Sequence, residues 1–313
     1  MTKADNPTWR LLSRLLAVVS LLLLTGQLSA NVFGDGDPDN GDEDERSRLE
    51  AAGGYPGNVP AWPMSAGTLF CDGKLRGTAM LVDPGQHQPP VTGLFLVTAA
   101  HVLFDLETAT PFAQCSFHFM GLGGLDGYHV RLEPEWIRSG AFEPASDPGN
   151  PLFGADDWAF AWLPEAWPYA GRVGAVPLMS LEQLRMLPSG DAQFDLVAWD
   201  QQQGRMSLSG ACQVVESGPE DLGGGAWAGQ LLDDCDSADG ASGGGLMAVT
   251  RSGRYLVGIR TGSHWSPAAY PDGPIPGSAW DIRHNTNFAR AIDAELLSAF
   301  ADLLDEVRSA LAR

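Results

Sequence analysis

A histidine, an aspartate and a serine, far apart in the chain and each set among small or apolar neighbours, could together activate a hydroxyl group. His101 ends the string Leu96-Val97-Thr98-Ala99-Ala100-His101, and Asp157 opens Asp157-Trp158-Ala159-Phe160-Ala161-Trp162-Leu163. Ser242 lies in Asp236-Ser237-Ala238-Asp239-Gly240-Ala241-Ser242-Gly243-Gly244. A serine hydroxyl is a weak nucleophile at neutral pH and needs a base to take its proton as it attacks. An imidazole titrates in a suitable range. A buried carboxylate fixes the imidazole tautomer and stabilises its charged form. The tetrahedral species that follows needs hydrogen-bond donors aimed at its oxyanion. Glycines on both sides of Ser242 permit a tight turn with positive φ and a close approach of substrate.

Each residue also has a plainer reading. A lone histidine is most often structural, but His101 follows an apolar run and two alanines, where other segments can approach closely. His87, His118, His129, His264 and His284 lack such a setting and read as structural or surface residues. Asp156 is adjacent to Asp157, but Asp157 directly precedes the apolar run and is the better candidate. A Gly-Ser-rich loop is common in itself. The Gly-x-Ser-x-Gly pattern also matches the nucleophile elbow of α/β-hydrolases. Those enzymes place Asp and His after the serine, between a strand and a helix, and here the order and surroundings differ.

In this order and context the three strings resemble the chymotrypsin-like (trypsin-like) serine peptidase family, in its bacterial glutamyl-endopeptidase-like branch. The resemblance implies an all-β fold of two antiparallel six-stranded barrels. His101 and Asp157 would come from the first barrel and Ser242 from the second. It makes His101 the base, Asp157 its orienting carboxylate, Ser242 the nucleophile, and the N–H groups of Gly240 and Ser242 the oxyanion hole. The implied activity is that of a serine endopeptidase working through an acyl-enzyme, with no cofactor and no metal. The rival readings are a catalytically inactive homologue acting as a binding protein, and an esterase using the same site.

Two departures qualify the resemblance. Trypsin has an Asp before its serine that pairs with a freed N-terminus, whereas here that position is Ala241. An N-terminal ammonium switch is therefore not expected. The second departure concerns substrate choice. Asp236 lies where trypsin-like enzymes bind Arg or Lys side chains, and Arg260 where glutamyl endopeptidases carry a histidine. If both point inward they are expected to pair and cancel, because either charge alone is costly to bury. Thr261, Gly262 and Ser263 match the strand that pairs with an extended substrate.

The elements that must hold these residues are strands. Short runs at 67–71, 77–82, 94–98, 116–120, 128–132 and 158–163 are bounded by Gly, Pro and Asp. A second series follows at 194–199, 212–215, 245–250 and 255–260, the last two joined by the hairpin turn Arg251-Ser252-Gly253-Arg254. The one strong helical period is C-terminal, with Ile292, Leu296, Phe300, Leu303, Val307 and Leu311 on one face. That helix is expected to pack on the second half. The expected division is a signal peptide at 1–30, an acidic disordered linker or propeptide at 31–60, barrels at 61–175 and 176–287, and a helix at 288–313.

Composition agrees with this division. The formal charge of −20 argues against nucleic-acid or membrane-surface binding. Lys3, Arg10 and Arg14 precede an apolar run from Leu15 to Leu24, and Leu28-Ser29-Ala30 offers a cut after Ala30. This predicts a secreted or periplasmic protein that leaves the membrane once the signal is cleaved. An uncleaved anchor is the alternative. Polypeptide substrates are the expected partners, and a monomer is the simplest state. Cys71, Cys115, Cys212 and Cys235 make an even set for an oxidising compartment. Three pairings are open; Cys71–Cys115 and Cys212–Cys235 are favoured because each stays within one half. There is no CxxC pair, which argues against a metal site.

Overall fold

The computed structural model describes residues 31–33, 47–48, 65–85, 92–105, 108, 110–119, 129–141, 155–164, 174–216, 229–273 and 276–313. The expected signal peptide and most of the acidic segment lie outside the described residues. Strand β1 (Ser47–Arg48) comes first. It is followed by β2 (Ala66–Cys71), β3 (Lys74–Val82), β4 (Leu94–Thr98), the short helix α1 (Ala100–Leu103), β5 (Cys115–Phe119) and β6 (His129–Leu132). A 3₁₀ turn (Pro134–Trp136) leads to β7 (Ile137–Ser139), and β8 is Ala159–Leu163.

These strands form an antiparallel sheet in the order β6-β5-β2-β3-β4-β8-β7. Strand β6 pairs with β5 at one edge and β7 with β8 at the other. Only the 3₁₀ turn separates β6 from β7, so one broken segment joins both edges. Counted as segments, the ring has six members and is closed, which removes exposed strand edges. The strands carry apolar side chains on both faces: Leu69, Leu81, Phe95, Leu96, Val97, Phe117 and Phe160 are fully enclosed.

The second half begins with helix α2 (Leu181–Arg185), started by a capping box in which Ser180 and Gln183 exchange hydrogen bonds. Strands β9 (Gln193–Asp200), β10 (Arg205–Leu208), β11 (Val214–Glu216), β12 (Gln230–Asp233), β13 (Gly245–Thr250), β14 (Gly253–Trp265) and β15 (Asn285–Ala291) follow, and then helix α3 (Ala294–Leu311). The sheet order is β1-β10-β9-β13-β14-β15-β12-β11. A bridge between Phe194 of β9 and Cys212, just ahead of β11, closes six of these strands into a second ring. Strands β10 and β1 hang from it as an extension. The architecture is thus two antiparallel barrels with a C-terminal helix.

Disulfides join Cys71 to Cys115 and Cys212 to Cys235, spanning 44 and 23 residues. Each is worth about 3–4 kcal/mol in the chain-entropy model. The first ties neighbouring strands β2 and β5. The second ties the segment that closes the second ring to the end of β12.

Three expectations need correction. Helix α3 packs on the first barrel, not the second: Phe300 meets Phe95 edge-on at 5.6 Å and stacks on Phe160 at 5.0 Å. An amphipathic stripe says that a face is covered but not by what. The boundary at 287/288 falls inside β15, because the polar start of that strand hides its period. Residues 31–33, expected within the disordered linker or propeptide, are ordered: Asn31, Val32 and Phe33 are buried against the second barrel.

Candidate active site

His101 sits in α1, directly after β4. Ala99 and Ala100 are fully buried and leave room for neighbouring chain, as the string suggested. The His101 backbone N–H donates to Asp157 Oδ1 at 2.9 Å, and ring Nδ1 lies 2.8 Å from Asp157 Oδ2. One carboxylate therefore holds both the main chain and the ring, which fixes the imidazole plane and leaves Nε2 as its outer nitrogen. Asp157 is fully buried and His101 8 % exposed. Asp156 does not share this contact. Its carbonyl accepts from Trp158 N–H and shapes the turn before β8.

The approach to Asp157 is braced from the second barrel. Arg290 of β15, 1 % exposed, donates from Nε to the carbonyl of Ala155 at 2.5 Å. Its Nη1 donates to the carbonyl of Ala291 and to Asp293, both at 2.8 Å. A fully enclosed guanidinium thus links the two barrels, two residues ahead of Asp157.

Ser242 lies in the turn before β13. Gly240 and Gly243 have φ of +90° and +81°, a region that favours glycine. A Cβ on Gly243 would collide with the Thr78 carbonyl and the Thr98 hydroxyl. The loop is pinned on both sides. Thr78 N–H donates to the Ser242 carbonyl at 2.7 Å, and Gly243 N–H to the Arg260 carbonyl at 2.7 Å. The Thr78 hydroxyl donates to the Gly240 carbonyl at 2.8 Å and accepts from Trp199 N–H at 2.9 Å. The Thr98 hydroxyl donates to the Thr78 carbonyl at 2.7 Å. Among the described residues, the N–H groups of Gly240 and Ser242 donate to no protein acceptor.

Gly77 brings the two halves together. A Cβ there would lie 2.5 Å from the Ser242 carbonyl oxygen and 2.9 Å from Cγ2 of Val102, the residue after His101. Strand β3 thus meets both the Ser242 turn and the His101 helix at Gly77. Gly77, Thr78 and Thr98 were not among the expected site residues. The available signal was a glycine and a hydroxyl inside an otherwise apolar run, Gly77-Thr78-Ala79-Met80.

The expected pairing of Asp236 with Arg260 is absent. Arg260 instead makes a two-pronged ion pair with Asp233, at 2.9 and 2.6 Å, with both side chains fully enclosed. Burial pushes the Asp233 carboxyl up, and the guanidinium and the Cys235 N–H pull against that rise. The switch has a simple cause. Asp233 ends β12, which is joined through β15 to β14, so it reaches Arg260 across the sheet. Asp236 Oδ1 instead accepts from the N–H of Phe33 at 2.8 Å. Asn31 completes that docked segment: its side chain donates to Asn285 at 2.7 Å, and its carbonyl accepts from Ser237 N–H at 3.1 Å and Asn287 at 3.2 Å. Ala241 is buried and supplies no carboxylate.

Thr261, Gly262 and Ser263 lie on β14. The ladder to β13 ends at Ile259, whereas the ladder to β15 runs on to Trp265. A bulge between Arg260 and Gly262 turns the strand there, and Gly262 leaves space for the Phe288 ring.

No family model and no curated protein matches this chain. Solved structures do. The protease Anisep from Arthrobacter nicotinovorans superposes with a TM-score of 0.51 at 14 % identity, covering 77 % of this chain and 95 % of that one. A Glu endopeptidase superposes with a TM-score of 0.51 at 12 % identity, covering 83 % and 96 %. The fold is that of the chymotrypsin-like serine proteases.

Proposed function

We propose that the protein is an exported serine endopeptidase. The observation that carries this reading is the double hold of Asp157 on His101, beside a serine turn locked to the same strand β3. The Ser242 hydroxyl attacks the scissile carbonyl as His101 Nε2 takes its proton. The N–H groups of Gly240 and Ser242 receive the oxyanion. His101 then protonates the departing amine, leaving an acyl-enzyme on Ser242. Water, activated by the same imidazole, releases the second product. The acyl half of the substrate extends along β14 at Gly262 and Ser263, as an added strand. Arg260 and Asp236 are both engaged within the protein, so that pair gives no strong basic or acidic preference.

The test compares a protein substrate and a matched ester, with wild type and Ser242→Ala. Wild type is expected to cleave both, and the variant to lose at least about 10⁴-fold in kcat. Cleavage of esters alone contradicts an endopeptidase, and turnover that survives Ser242→Ala contradicts the mechanism.

A further inference from the structure

Arg76 stands next to Gly77, the residue wedged between the Ser242 carbonyl and Val102. Its guanidinium carbon lies 4.0 Å from the centroid of the Phe112 ring. Phe112 is in turn tied to the His101 helix, its N–H donating to the Leu103 carbonyl at 3.0 Å. A cation held over an aromatic face at a half-buried position is pre-organised. It is also uncompensated. Nε is buried with no hydrogen-bond partner, and among the described residues Arg76 makes no ion pair and donates no hydrogen bond. This is notable in a chain with 39 acidic and 19 basic residues. Arg131, Arg138, Arg185, Arg260, Arg290 and Arg308 each face a carboxylate. Lys74, exposed and two residues earlier on β3, adds a second positive charge to this stretch.

The side of the site follows from the loop's two anchors. The turn is gripped by β3, where Thr78 N–H donates to the Ser242 carbonyl, and by β14, where the Arg260 carbonyl accepts from Gly243 N–H. If the acyl half of a substrate runs along β14, the departing half leaves past β3. We infer that Arg76 is a specificity residue that binds an acidic side chain, aspartate or glutamate, within the first two residues after the scissile bond. The inference rests on the peptidase reading above. The substrate carboxylate accepts hydrogen bonds from the guanidinium and supplies the anion that the protein itself does not.

The test uses quenched fluorescent peptides that share one acyl half and carry Asp or Asn at the first or second position after the cut. The readout is the Asp/Asn ratio of kcat/KM within each enzyme, so a general loss of activity cancels. Wild type should favour Asp by about tenfold at one of the two positions, a preference that shrinks with added salt. Arg76→Gln should bring the ratio near one, Arg76→Lys should keep part of it, and Arg76→Glu should invert it. Fluorophosphonate titration of each preparation separates the two possible failures. Labelled enzyme with a ratio near one in wild type, or a ratio unchanged in Arg76→Gln, overturns the subsite alone. A wild type that neither labels nor cleaves overturns the peptidase reading, and the subsite with it.

Discussion

Strands β8 and β15 are both buried along their whole length, yet they are made of opposite material. Strand β8 reads Ala-Phe-Ala-Trp-Leu and follows the carboxylate that orients His101. Strand β15 reads Asn-Thr-Asn-Phe-Ala-Arg-Ala and runs behind the segment leading to Ser242. The first barrel is stabilised by apolar packing, in which a position is set by shape. The second encloses Asp233, Arg260, Asn285, Asn287 and Arg290, whose positions are set by hydrogen bonds. Such a network specifies a unique arrangement but costs much when half broken. The apolar barrel thus presents His101 and Asp157 on a firm edge, while the polar one fixes the Ser242 turn and β14 beside it.

Substitutions that break this contrast should differ in kind. The largest effect is expected for Asp157→Asn, which alters how the imidazole is held and should lower kcat by on the order of 10⁴-fold with folding intact. Active-site kinetics together with thermal unfolding check this. Asp233→Ala leaves the Arg260 guanidinium buried without its anion and should cost about 3–5 kcal/mol. Phe160→Ala in the first barrel should cost a similar amount through its cavity. The sharper comparison is a paired apolar replacement of Asp233 and Arg260. It should recover most of the stability lost in Asp233→Ala, whereas a second apolar change beside Phe160→Ala should not. Chemical denaturation of the four variants checks the pattern.

Arg290→Met removes the brace on the Ala155 carbonyl. It should lower kcat by about 10- to 100-fold, because the Asp157 segment is then less well placed. The smallest effect concerns Asp293, whose carboxylate caps α3 by accepting from the N–H groups of Glu295 and Leu296. Burial pushes this carboxyl up, but hydrogen bonds from Arg290 and the two N–H groups outweigh it and hold the group below its usual range. A depressed carboxyl pKa contributes stability above its unfolded value, about 3.9, and loses it as pH falls through the folded value. Asp293→Ala should therefore cost about 1 kcal/mol near neutral pH, and the difference from wild type should shrink in acid. Unfolding curves from pH 7 down to pH 3 test the sign.

The same contrast explains what could be read from the chain. Runs such as Leu94–Thr98 and Gly245–Thr250 were legible to the residue, because apolar strands announce their own burial. Strand β15 was missed because its polar residues face partners that lie far away in sequence. Matching the two residues to the pocket positions of the resembled family put Arg260 with Asp236, whereas strand order places it on Asp233. The strings around His101 and Ser242 stand out by their small residues, and that of Asp157 by the apolar run that follows it. Thr78 was not, since its hydroxyl matters only through the Gly240 carbonyl and Trp199 N–H that it joins. Residues 31–33 read as linker by composition, yet the asparagines of β15 give their backbone a buried seat.

The central claim is that Ser242 is the nucleophile, held in reach of an imidazole fixed by Asp157. Its most direct test is to treat the folded protein with a fluorophosphonate and locate the adduct by peptide mass spectrometry. A single adduct on Ser242, much slowed in Asp157→Asn and absent in Ser242→Ala, is the predicted result. No adduct, or one elsewhere that persists in Ser242→Ala, would contradict the account.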